Sequence, residues 1–192
     1  MQWKGLFLET NLACLSKAEL RWVDLREAKL INANLNGVKL EASCLISADL
    51  NSANLSNANL NKIDLSNANL NHADLRKTNF SNTKLDRANL SLTDLTLAKL
   101  SNISLVAANL RDCNLGGCNL SGTNLSNADL TNVNLRNGNL KDANLSCSKM
   151  KFADFKYADL LNANISGVDL NDTYLEGATM PDGSIYNDFS NT

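Results

Sequence analysis

Apolar and polar positions recur along this chain with a period of five. From Leu15 to Met180 every fifth residue is apolar, 34 positions in a row, of which 29 are Leu and the others are Phe80, Met150, Phe155, Ile165 and Met180. Two residues before each stands a small or β-branched residue, Ala in 18 cases, and one residue before stands Asn or Asp in 23 cases. The two residues after it are polar and variable, as in Ala58-Asn59-Leu60-Asn61-Lys62. A step of five turns a helix by about 140°, spreading Leu round the whole cylinder, and on a strand it alternates faces. Helix and flat sheet are both excluded. What keeps every fifth residue inside is a chain that bends once per five residues, with short extended pieces between bends, wound so that successive coils pair in parallel. The single proline agrees, because a rung between two others needs its backbone N–H groups. Pro181 follows the last in-register apolar residue.

The number of bends per coil is read from the small inward position. Positions ending in 3 hold eight of its eleven Val, Ile and Thr (Val23, Ile63, Thr83, Thr93, Ile103, Thr123, Val133, Thr173), and those ending in 8 hold three (Val38, Thr78, Val168). Alternate sides therefore differ, as an even number of sides allows and a triangle does not. Four sides, about twenty residues per coil, is the natural even choice.

The unit Ala-Asn/Asp-Leu-x-x, unbroken in Ala53-Asn54-Leu55-Ser56-Asn57-Ala58-Asn59-Leu60, resembles the pentapeptide-repeat family over residues 11 to 182. The resemblance implies an all-β fold, a right-handed quadrilateral parallel β-helix of about eight coils with the central Leu and the small residue inside. At ~4.8 Å per rung the rod is roughly 40 Å long. The ending Met180-Pro181-Asp182-Gly183-Ser184-Ile185 is similar to tails of cyanobacterial members.

Three segments are expected: an N-terminal cap over 1–12, the β-helix over 13–182 and a C-terminal cap or tail over 183–192. An open solenoid end exposes core leucines and unpaired strand edges, so it needs a cover. Trp3, Leu6, Phe7 and Leu8 are the expected plug at one end, and Ile185, Tyr186 and Phe189 fold over the other after the Pro181-Asp182-Gly183 turn. Dimerisation through that tail is the alternative.

Composition narrows the chemistry. With 44% apolar and 20% charged residues the chain can bury a core. A net charge of −2 is too small to drive phosphate-backbone binding, so direct nucleic-acid binding is not expected. Nothing approaches the ~20 apolar residues of a membrane span and no leader pattern opens the chain, so a soluble cytoplasmic protein is expected. Five cysteines at irregular spacing make no disulfide framework. Cys113 and Cys118 replace Ala at the inward position, while Cys14, Cys44 and Cys147 point outward on different sides and gather no histidine. His72, the single His, sits at an outward corner without a partner, and a rod filled by Leu has no pocket in which a triad could converge. No catalytic residue, cofactor or metal is expected. The abundant Asn is read as structural rather than as a sugar- or ice-binding array, because Asn and Asp bond their own backbone in tight bends and stack as ladders on successive rungs.

What remains is a surface. The expected function is a non-enzymatic interaction or regulatory scaffold that presents one solenoid face to a protein partner. The alternative, implied by the family resemblance, is a DNA mimic that binds and protects a type II topoisomerase such as gyrase. Residues 1–150 carry 13 acids against 16 bases, which counts against mimicry; residues 151–192 carry seven acids against Lys151 and Lys156, so only that end is negative. With twenty residues per coil, Leu92 and Phe152 share one corner column, Leu97 and Tyr157 share the next, and all four flank one side with Thr96, Arg136 and Lys156 between them. They are the candidate partner-binding residues, for a protein partner or for a second copy of the chain. Trp22 and Ile46 are expected to be exposed on other sides.

Overall fold

A computed structural model of the chain describes residues 15–187. The expected caps at 1–12 and the residues Cys14 and Phe189 lie outside that range. Within it the chain is a four-sided parallel β-helix with a coil of twenty residues. The residue before each central apolar residue bridges in parallel to the residue twenty further on, from the pair Glu19 and Lys39 through to Asp159 and Thr179.

Each bend is the same four-residue turn. The N–H of the small residue donates to the carbonyl of the central residue three before it, as Ala58 does to Leu55 at 2.9 Å. The turn's third residue takes a left-handed conformation, with φ of 59° at Asn67 and 57° at Asp112. That region suits Asn, Asp and Gly and disfavours bulky side chains. The repeated Asn or Asp stands just before the turn, and its side-chain oxygen accepts the outward N–H two residues on, as Asn54 does from Ser56 at 3.0 Å and Asp64 from Ser66 at 3.0 Å. Amides on successive coils also form ladders, Asn109 donating to Asn89 at 3.0 Å and Asn89 to Asn69 at 3.2 Å. The Asn content is therefore structural, a supply of acceptors for backbone groups that a sharply bent chain leaves open.

From Leu30 to Ala163 every inward side chain is buried. Full burial of each Leu contributes ~1.5–3 kcal/mol, which is the main drive for coiling. Inward hydroxyls other than that of Ser148 are satisfied by the carbonyl of a central residue: Thr83 Oγ1 donates to Leu60 and Thr123 Oγ1 to Leu100, both at 2.6 Å. The two inward cysteines follow the same rule. Cys113 Sγ donates to the Leu90 carbonyl at 2.8 Å and Cys118 Sγ to that of Leu95 at 3.3 Å. Both are free thiols, and burial pushes the Cys113 pKa up to about 11, so it is a packing residue and not a nucleophile.

The ladder has one break among the described residues: Lys149 and Asp169 do not bridge. There the Phe152 N–H reaches the Asp172 carbonyl at 2.7 Å, whereas the equivalent Asn132 N–H goes to Lys151, nineteen residues on. Ser148 Oγ beside the break is buried without a hydrogen-bond partner. After the last coil the chain reverses at Gly183, and Ile185 pairs antiparallel with Thr179. The Gly177 N–H donates to the Tyr186 carbonyl and the Tyr186 N–H to that of Ala178. Ile185 and Tyr186, expected to lie over the last coil, keep exposed side chains. The strand they form completes the backbone edge rather than covering the core. Ile46, expected to be exposed, is half-buried.

Candidate functional site

The four candidate residues occupy left-handed corner positions, with φ of 61° at Leu92, 62° at Leu97, 60° at Phe152 and 59° at Tyr157. They are 47%, 67%, 45% and 52% exposed in the same order. A large apolar side chain at such a corner gains little burial and sits in a conformation that favours Asn or Gly, so the fold itself does not call for it. The twenty-residue coil brings them together as expected: Leu92 and Phe152 lie in one column and Leu97 and Tyr157 in the next, three coils apart, about 14 Å. Asp112, Gly117, Asn132 and Asn137 fill the corners between, and at Gly117 an added Cβ would meet nothing within 4 Å, while the Asn114 and Asn134 side chains lie against Gly116.

Cations hold both aromatic rings. The Arg136 guanidinium lies 5.8 Å from the centre of the Tyr157 ring, and Lys151 Nζ lies 4.9 Å from that of Phe152. On its other side the Tyr157 ring covers Gly177, where an added Cβ would come within 2.5 Å of it. Arg136 also pairs with Asp154 at 3.1 Å, and Lys156 with Glu176 at 2.7 Å, which raises the lysine's pKa. Sequence reasoning missed one member of this side, Tyr174, which is 51% exposed. The signal was present: among the residues that precede the central position it is the one aromatic, standing where Asn or Asp is usual. Trp22 is exposed as expected, on another side and with no large apolar neighbour in its column.

Four acids of the C-terminal coils are matched by bases one coil below. Asp154 meets Arg136, Asp159 meets Lys141 at 3.1 Å, Asp172 meets Lys151 at 3.7 Å and Glu176 meets Lys156. His72 is exposed at its corner. Among the described residues no group of three or more His, Cys, Asp or Glu could hold a metal ion, and no helix is long and apolar enough to cross a membrane.

The family model described as Pentapeptide repeats matches the chain in eight copies, which together cover residues 13–41 and 43–180. The chain belongs to the pentapeptide-repeat family. Its right-handed β-helical solenoid is similar to that of HetL from the cyanobacterium Nostoc sp. strain PCC 7120, a pentapeptide-repeat protein involved in heterocyst differentiation regulation. The two are 32% identical, the match covers 92% of this chain and 88% of HetL, and the TM-score is 0.75. A pentapeptide-repeat protein of the Arabidopsis thaliana thylakoid lumen is 24% identical over 60% of this chain and 70% of its own, with a TM-score of 0.31. QnrB1, a plasmid-mediated fluoroquinolone resistance protein, is 18% identical over 89% of this chain and 93% of its own, with a TM-score of 0.35. The last two superpose too loosely to bear on this protein's surface. No curated protein matches this pentapeptide-repeat chain.

Proposed function

We propose that this protein is a non-enzymatic regulatory scaffold whose side bearing Leu92, Leu97, Phe152 and Tyr157, with Tyr174, docks a protein partner. The observation that carries the reading is the clustering of exposed apolar side chains on one side, at corners where the backbone favours Asn or Gly. Clustered aromatic anchors beside Arg are what protein interfaces concentrate. The likeness to HetL, a regulatory protein, supports the regulatory part. Affinity capture from the native cell extract tests it: a protein recovered by the wild type is lost with the double variant Leu97→Asp, Tyr157→Asp, which keeps the fold because neither side chain is in the core. Equal recovery by both removes this side from the reading.

Protection of a type II topoisomerase is the second reading, and the acidic C-terminal segment supports it. Mimicry needs unbalanced negative charge, yet four of those acids are matched by Arg136, Lys141, Lys151 and Lys156. Purified protein is therefore expected to leave gyrase supercoiling unchanged in the presence of a fluoroquinolone. Dose-dependent rescue at ~10 μM protein, a concentration that would saturate a typical specific complex, promotes the second reading over the first.

A further inference from the structure

We propose that the occupant of this side is a second copy of the chain, laid antiparallel and face to face about a two-fold axis that passes between the coils of Gly117 and Asn137. The proposal deepens the reading above by naming its partner. A two-fold axis lying across the rod in the plane of contact keeps each column opposite itself and reverses the order of the coils. Leu92 then faces Phe152 of the second copy and Leu97 faces Tyr157, so each small aliphatic knob meets an aromatic ring. Arg136 faces Gly116, beside the open corner at Gly117 where an added Cβ would meet nothing within 4 Å. One coil further out, Arg76, which pairs with Asp74 in its own copy, faces Glu176, which pairs with Lys156 in its own, so the contact joins two ion pairs into a network; His72 faces Asp172.

Charge selects this arrangement over the others. Residues 72–77 carry Asp74, Arg76 and Lys77 and lie opposite 172–177, which carry Asp172 and Glu176; residues 112–117 carry Asp112 and lie opposite 132–137, which carry Arg136. In both pairs a net positive stretch meets a net negative one, while in the third, 92–97 with Asp94 lies opposite 152–157, where Asp154 and Lys156 cancel. In the parallel arrangement every stretch would face itself, so that 172–177, with Asp172 and Glu176, meets the same two acids, and like charges in register suppress association. The contact spans six coils, about 24 Å from first rung to last. It is narrower than a standard interface, so the dimer is weak, forming near ~100 μM and dissociated near ~1 μM.

Sedimentation equilibrium on the full chain tests the register by charge exchange. Arg76→Glu sets like charges opposite Glu176 at both ends of the dimer, and Glu176→Arg does the same opposite Arg76. Both substitutions suit the column, which already holds Arg76, Arg136 and Glu176, and circular dichroism checks the coil. Each variant alone is expected to dimerise ~10-fold more weakly than the wild type, and their equimolar mixture to regain wild-type affinity, because both contacts are then oppositely charged. A wild type that stays monomeric to ~1 mM, well above the range set by this contact area, overturns the proposal. So does a mixture no tighter than its components. If the wild type is monomeric while Leu97→Asp with Tyr157→Asp still abolishes capture of another protein, the docking side stands and only its self-pairing fails.

Discussion

The middle of the rod and its last coil carry the same repeat and are closed to different degrees. Between Leu30 and Ala163 every inward residue is buried. Around 165–170 the pattern continues with Ile165, Val168 and Leu170, yet these are only partly buried and Asp169 has lost its bridge to Lys149. The repeat dictates the path of the chain through turns and inward positions that each pentapeptide supplies by itself. It does not supply closure, because half the contacts of any coil come from the coil above. A solenoid is thus locally encoded and cooperatively stabilised, and the two properties separate where the stack ends.

The sharpest test of that difference is truncation of equivalent leucines. Leu110→Ala in the middle should cost ~2–5 kcal/mol, since it leaves a cavity between two packed coils. Leu170→Ala should cost ~1 kcal/mol or less, because the side chain is already partly in water and its coil can open alone. Chemical denaturation reads both. Equal losses would mean that the last coil is as closed as the middle, and amide exchange at Asp169 as slow as at Asp129 would say the same.

Glycines at equivalent corners sharpen the comparison at a smaller scale. Gly117 and Gly177 have φ of 67° and 70°, and an added Cβ at Gly117 meets nothing within 4 Å. Alanine already holds this conformation at Ala42 and Ala107, so Gly117→Ala should shift stability by less than ~1 kcal/mol. At Gly177 the same change strikes the Tyr157 ring. Thermal melts should show a further ~1 kcal/mol lost there, the cost of overpacking, and the Tyr157 ring should swing off its column. A Gly177→Ala protein indistinguishable from Gly117→Ala would remove the ring from that position.

Most of the fold was legible because period, inward position and turn chemistry are written into each five residues. The skew of β-branched residues towards positions ending in 3 pointed to an even-sided coil, and the bridge between Asn54 and Asp74, twenty residues apart, fits four sides. The role of Asn was legible for the same reason. The break at Lys149 and Asp169 was not: Ser148, Lys149 and Met150 each replace the commonest residue of the unit, but Lys39, Lys84 and Lys99 stand at the same position and bridge, so the slip depends on how two coils meet. The columns of the candidate side followed from the coil length alone. Tyr174 stands at the ladder position rather than at a corner, where a large side chain is expected to be exposed, and the ring contacts of Arg136 and Lys151 depend on rotamers no repeat encodes.

The smallest expected effects lie on the outside of both regions. Arg111 is the neighbour of Leu110 and points outward, its guanidinium 3.7 Å from Asp129; Lys151 stands at the break, 3.7 Å from Asp172. Both cations are solvent-exposed and both contacts are long, so Coulomb attraction is screened and offset by the entropy of holding a long side chain in place. Arg111→Ala and Lys151→Ala should each stay within about 0.5 kcal/mol of the wild type in denaturant titrations. Even that difference should vanish in ~0.5 M salt, where the screening length falls to a few ångströms. The contrast with Leu110→Ala, one residue away, is what the inward register demands. Were Arg111→Ala to cost as much as Leu110→Ala, the assignment of inside and outside along the whole rod would be wrong.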